Sequence, residues 1–214
     1  MTNLKDIHKG ETGVLVLNGP SLNQIPLDWL NSHRTISCNH IYKLGGFVID
    51  YYVLVDTSTL KDNEKAAYFQ DALKRAKQPI VWEKQKERAP KNSMYITRNG
   101  KDEFHEDVMF SGTGNYASTA WVMIQLAYLM GFDPVLLVGF DCDFDRKEGY
   151  HFYKDEPHHF THHPPVPHHE WADKLIRHMM LADDAFKKAG RKVINCTPDS
   201  GCKVFPFGNY ADYE

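Results

Sequence analysis

The segment Gly13-Val14-Leu15-Val16-Leu17-Asn18-Gly19-Pro20-Ser21-Leu22 constrains the chain most. Val14 to Leu17 is a short, wholly apolar run, the pattern of a strand buried on both faces. Asn18-Gly19-Pro20-Ser21 breaks it: Gly19 opens backbone angles closed to other residues, Pro20 fixes its own, and Ser21 is a capping residue for a helical turn. A strand, a tight polar turn and a helix start direct free backbone N–H groups at one point, a geometry that suits phosphate. Neither G-x-G-x-x-G nor G-x-x-x-x-G-K-[ST] is present, so the dinucleotide and P-loop motifs are excluded. The alternative is an ordinary first β–α turn.

The same punctuation recurs along the chain. Strands are expected at 35–38, 51–55, 79–82, 94–97, 134–140 and 192–195, with helices near 27–31 and over 62–77, 116–130 and 171–189. The 116–130 helix is apolar around most of its circumference, so it is expected to be buried, with Gly131 as its stop. Residues 83–92 are charged and expected in solvent, and 98–110 and 196–214 read as loops. Alternating short strands and helices predict an α/β, Rossmann-like, doubly wound and mostly parallel sheet, built as one nucleotide-binding domain over 1–214 with a His-rich lid at 142–167. Such sheets bind ligands beyond the carboxyl ends of their strands. Asn18, Ser21, Asn39, Asp56, Thr57, Ser58, Asp141 and Asp143 all fall at those ends.

Three segments carry candidate chemistry. The turns 18–21 and 111–115 each precede a helix and can present N–H donors to an anion. Asp141-Cys142-Asp143 follows the central strand, and two carboxylates one residue apart can hold Mg²⁺ or Mn²⁺ against nucleotide phosphates. The alternative there is one inward Asp that secures a loop and one solvated Asp. The run His158 to His169 holds six histidines in twelve residues. It lacks a cysteine partner and regular spacing, which fits a lid with one general-base histidine better than a structural zinc site; the alternative is a solvated, Pro-stiffened loop. Tyr150, Phe152 and Tyr153 beside it either stack on a base or sugar or anchor the lid.

Composition removes other classes. The net charge of -3 argues against a general nucleic-acid binder, and no apolar run approaches a membrane span. Cys38, Cys142, Cys196 and Cys202 form no C-x-x-C pair, which fits reduced thiols and a cytoplasmic location. Oligomeric state is not legible.

Further along, the chain resembles two related-looking families. The matching pieces are 17–22, Cys38-Asn39 with Tyr42, Val55-Asp56, Gly112-Thr113-Gly114, 126–132, 137–141, and 190–200 with Val204-Phe205-Pro206. They run in order over most of the chain, apart from 60–105. The pattern is similar to the 6-hydroxymethylpterin diphosphokinase-like (MptE-like) proteins and to bacterial sialyltransferases that use CMP-linked sialic acid. The sialyltransferase resemblance implies that Asn18, Gly19, Asn39, Thr113 and Gly114, with Pro20 and Ser21 in the same turn, hold the nucleotide. It also implies a base from the segment after the central strand, for which His159 and His163 are the candidates beside Asp141. This chain has Asp56 where that family has an Asn, and a carboxylate near phosphate calls for a metal or a proton. The family arginine before the small-residue turn is missing, with Arg98 and Lys101 lying further upstream. The MptE-like resemblance, closer from 117 onward, implies pyrophosphate transfer from ATP to a pterin alcohol with Mg²⁺ on Asp56, Asp141 or Asp143. The expected function is therefore a nucleotide-dependent transferase, foremost a glycosyltransferase moving a sugar from a nucleotide-sugar donor to a hydroxyl acceptor. The diphosphokinase and a non-catalytic nucleotide-binding accessory protein are the alternatives.

Overall fold

A computed structural model describes residues 4–55, 63–113, 118–143, 149–154 and 168–213. The described strands are β1 (Gly13–Val16), β2 (Arg34–Cys38), β3 (Tyr51–Leu54), β4 (Gln78–Trp82), β5 (Met94–Ile96), β6 (Val135–Val138) and β7 (Val193–Asn195). They form one sheet in the order β5-β4-β3-β2-β1-β6-β7, with every pair parallel. The helices are α1 (Leu27–Ser32), α2 (Asn63–Arg75), α3 (Val108–Ser111), α4 (Thr119–Met130) and α5 (His168–Lys188).

Side-chain alternation in β1 explains why both faces are covered. Val14 and Val16 point into a core with Leu22, Phe69, Leu73 and Leu136, on the side of α2. Leu15 and Leu17 point into the other core, with Trp121, Leu126, Phe132 and Phe186 from the side of α4 and α5. A strand buried on both faces has no polar positions to spare, which is why it reads as a continuous apolar run. Helix α4 lies against β1, β2 and β3 on one side and α5 on the other, so apolar residues surround it. Gly131 ends it at φ +85°, with its N–H donating to Tyr128 O at 3.1 Å.

Three local expectations differ from the structure. Glu83–Arg88 is a 3-10 turn with Gln85 buried, although its charges read as a fully solvated run. The 98–110 loop ends in α3, whose N-cap Asp107 accepts from Phe110 N at 3.1 Å. The segment after the first turn is a five-residue 3-10 helix, Pro20–Gln24, with no side-chain cap. Ser21 therefore does not cap a helix, and its hydroxyl is used elsewhere.

Candidate functional site

Chain direction across the sheet reverses at β1. From β1 the chain steps through β2, β3, β4 and β5 to one side, then returns through α4 to β6 on the other. The crevice at such a reversal, beyond the carboxyl ends of the strands, is where open α/β sheets take ligands. The 18–21 turn lies at this reversal, alongside the chain leaving β6. Leu17 N donates to Val138 O and Gly19 N to Gly139 O, both at 2.9 Å.

Asp141 fastens this turn. Its Oδ2 accepts from Ser21 Oγ at 2.7 Å and its Oδ1 from Ser21 N at 3.2 Å. Gly19 has φ -70°, an ordinary value, so a left-handed backbone is not what requires glycine here. Space is what requires it: a Cβ would stand 1.9 Å from Asp141 Oδ2 and 2.7 Å from Gly139 O. Asp141 thus acts as an inward carboxylate holding a loop, while Asp143 is exposed. Among the described residues, no group of three or more His, Cys, Asp or Glu side chains assembles to hold a metal ion. Each Asp141 oxygen thus already accepts one hydrogen bond from Ser21.

Asn18 is buried, and its Nδ2 donates to Cys38 O at 3.1 Å, tying the end of β1 to the end of β2. Its Oδ1 is enclosed and has no hydrogen-bond partner. An enclosed acceptor without a donor costs about 1–3 kcal/mol, which a ligand N–H or O–H would recover. Asn39 takes φ +51°, and its carbonyl accepts from Tyr52 Oη at 2.5 Å. The base of the expected lid reaches the same turn: Phe152 N donates to Asn18 O and Asn23 Nδ2 donates to Phe152 O, both at 2.9 Å.

Thr113 lies further along the same edge. It bridges Arg98 in parallel fashion, with Thr113 N donating to Thr97 O at 2.8 Å and Asn99 N donating to Thr113 O at 2.9 Å. Its Oγ1 is likewise buried without a partner. The preceding Gly112 takes φ +76°, and a Cβ there would meet Thr97 Oγ1 at 2.6 Å. Through this bridge Arg98 becomes a neighbour of Thr113. Its guanidinium lies 4.4 Å from the Trp82 ring centroid and donates to Val55 O at 3.3 Å. In sequence Arg98 lies upstream of the small-residue turn, and the long-range bridge brings it there. Asp56, Gly114, His159 and His163 lie outside the described residues.

The four cysteines are free. Burial raises the Cys38 thiol to about 12 against the hydrogen bond from Asn18, and raises Cys196 to about 12. Cys142 is also pushed well up, first by burial. None of these three is a thiolate nucleophile at neutral pH.

The described strands and helices define a doubly wound α/β domain with a parallel sheet whose chain direction reverses at the β1/β6 switch point. No family model matches the chain, and no curated protein matches it in sequence. Solved structures do match in fold. The sialyltransferase CstII from Campylobacter jejuni in complex with cytidine-5'-monophosphate superposes with a TM-score of 0.57 at 14% identity, covering 94% of this chain and 86% of that one. CST-II with a trisaccharide acceptor and CMP gives a TM-score of 0.52 at 14% identity, over 92% and 85% of the two chains. The monofunctional alpha-2,3-sialyltransferase Cst-I from Campylobacter jejuni gives 0.54 at 13% identity, over 96% and 82%. At this level of identity the shared property is the fold.

Proposed function

We propose that this chain is a glycosyltransferase that moves a sugar from a nucleotide-sugar donor, of the CMP-linked kind, to a hydroxyl acceptor. One observation carries the reading: Asn18 Oδ1 and Thr113 Oγ1 are both buried and unpartnered on the carboxyl edge, Asn18 beside the reversal of the sheet at β1 and Thr113 beside the chain leaving β5. Their unmet hydrogen bonds suit a ligand with both donors and acceptors, as a nucleotide has. Solved proteins of this fold carry CMP, and one carries a trisaccharide acceptor as well.

In this reading Asn18, Asn39 and Thr113 hold the nucleotide, with Gly114 and Asp56 as further nucleotide-binding residues. Gly19, Pro20, Ser21 and Asp141 keep the turn in shape, so Asp141 is a positioning residue. Arg98 brings positive charge to the edge. A lid histidine, His159 or His163, takes the proton from the acceptor hydroxyl. The acceptor oxygen then bonds to the anomeric carbon as the carbon–phosphate-oxygen bond breaks, and the nucleotide leaves with that electron pair. No step requires a metal. The MptE-like alternative, pyrophosphate transfer from ATP to a pterin alcohol, makes Mg²⁺ obligatory, so metal dependence separates the two.

The test is release of CMP from CMP-sialic acid in the presence of EDTA. Release is expected, with at least a tenfold fall in kcat/KM for Asn18→Asp, about 1.4 kcal/mol of transition-state stabilisation. Turnover of ATP with a pterin alcohol only when Mg²⁺ is present would overturn the reading in favour of the diphosphokinase. Nucleotide binding with no turnover would favour the accessory protein.

A further inference from the structure

An aromatic wall continues from the crevice onto the α2 side of the sheet. It is built from three places: His40 and Tyr42 in the turn after β2, Tyr68 on α2, and His151 and Tyr153 in the described segment 149–154. His40 Nδ1 and Tyr42 Oη are 2.9 Å apart, and the His40 ring is 5.1 Å from that of Tyr153. Tyr153 stacks on His151 with centroids 4.9 Å apart and 12° between planes, and Lys43 Nζ sits 4.3 Å from its centroid. Tyr68 lies nearly parallel to Tyr42, at 6.1 Å and 8°.

Tyr68 is the informative residue, because it is 60% exposed. Helix α2 already holds the sheet through Phe69, Ala72 and Leu73, which are fully or almost fully buried. The core does not need Tyr68. An exposed tyrosine parallel to a second tyrosine offers a flat apolar face and a hydroxyl at its rim. The wall also joins the crevice directly, since Phe152, flanked by His151 and Tyr153, bonds through its backbone to both Asn18 and Asn23.

That combination matches a pyranose ring. A sugar presents one face of C–H groups, which lies against aromatic rings, and a belt of hydroxyls, which takes bonds from Tyr, His and Lys side chains around the rim. We propose that Tyr68 and Tyr42, with Lys43 and His40 at the rim, form the subsite for the acceptor sugar ring. The inference rests on the glycosyltransferase reading and adds to it where the acceptor binds and which class of group it presents. The subsite lies beyond the nucleotide crevice, so donor cleavage and acceptor capture are separable.

The experiment measures two quantities on the same proteins: CMP release from CMP-sialic acid without acceptor, and binding of four methyl pyranosides (galactoside, glucoside, N-acetylglucosaminide and sialoside) to the CMP-loaded protein by NMR. Tyr68→Ala is expected to weaken pyranoside binding at least tenfold. Tyr68→Phe, which keeps the ring, is expected to stay within about threefold of the parent, and donor hydrolysis is expected to stay within about twofold in both. If donor hydrolysis is intact and pyranoside binding is unmoved by Tyr68→Ala, or no pyranoside binds, the subsite is wrong and the transferase reading stands. If the parent protein neither binds CMP nor releases it, both fall together.

Discussion

At the scale of single residues, the crevice depends on a few contacts that leave no room for substitution. Gly19 is fixed by Asp141, whose carboxylate lies where a Cβ would go. Gly19→Ala must push Asp141 off Ser21 or shift the turn against Gly139 O, and either change misplaces Asn18. The expected cost is about 1–3 kcal/mol, the range for forcing extra atoms into a packed site, with loss of nucleotide binding. Ser21 and Asp141 are 120 positions apart but share two hydrogen bonds. A double-mutant cycle of Ser21→Ala and Asp141→Asn, read by denaturant unfolding, is expected to give a coupling of about 0.5–3 kcal/mol. Additive effects would show that the pair does not hold the turn. This contact also explains why the D-x-D pattern reads ambiguously: spacing alone does not reveal that one carboxylate is already engaged by a serine from the first turn.

At the scale of elements, α5 is tied to the loop that leads to Thr113. His178, nearly fully buried on α5, stacks on Trp121 of α4 at 4.4 Å and 12°, and bonds through Nε2 to Asp102 at 2.5 Å. Lys174, one turn earlier, lies 3.5 Å from the same carboxylate. Burial pushes the His178 pKa down and outweighs the pull of Asp102, so the folded protein holds this imidazole neutral. The unfolded chain then binds a proton at higher pH than the folded one does. Stability from this group is complete above the ordinary histidine value of about 6.5 and declines as pH falls below it toward the folded value. The melting temperature is expected to drop from pH 7 to pH 5, more steeply in the parent than in His178→Gln, which keeps a donor for Asp102 but cannot titrate. Equal slopes would show that His178 does not carry the acid sensitivity. Another link from α4 to this loop is Gln125, fully buried, which accepts from His105 N at 2.8 Å.

Across the whole molecule, the sheet was legible because its strands are short runs of Val, Ile and Leu that stay apolar on both faces, and α4 because its apolar residues leave no polar stripe. Strand order was not written in any one segment; it comes from the long return through α4 that places β6 beside β1. The candidate site was legible in part for the same reason. Asn18 and Asn39 sit where their strands end, and local pattern finds them. The pairing of Asp141 with Ser21, the arrival of Arg98 at Thr113 and the stacking of Tyr68 on Tyr42 are products of packing between distant segments, and charge and spacing carry no trace of them. What unites these residues is the claim that the carboxyl edge binds a cytidine nucleotide without a metal. The direct test is thermal unfolding with CMP, CDP, UDP, GDP and ATP, each with EDTA or with Mg²⁺ or Mn²⁺. A ligand at a hundred times its Kd that binds only the folded state adds about 2.7 kcal/mol, roughly 5–10 °C for a chain of this size. The account predicts that shift for CMP or CDP in EDTA and its loss in Asn18→Asp; a shift seen only with ATP and Mg²⁺, or no shift with any nucleotide, would contradict it.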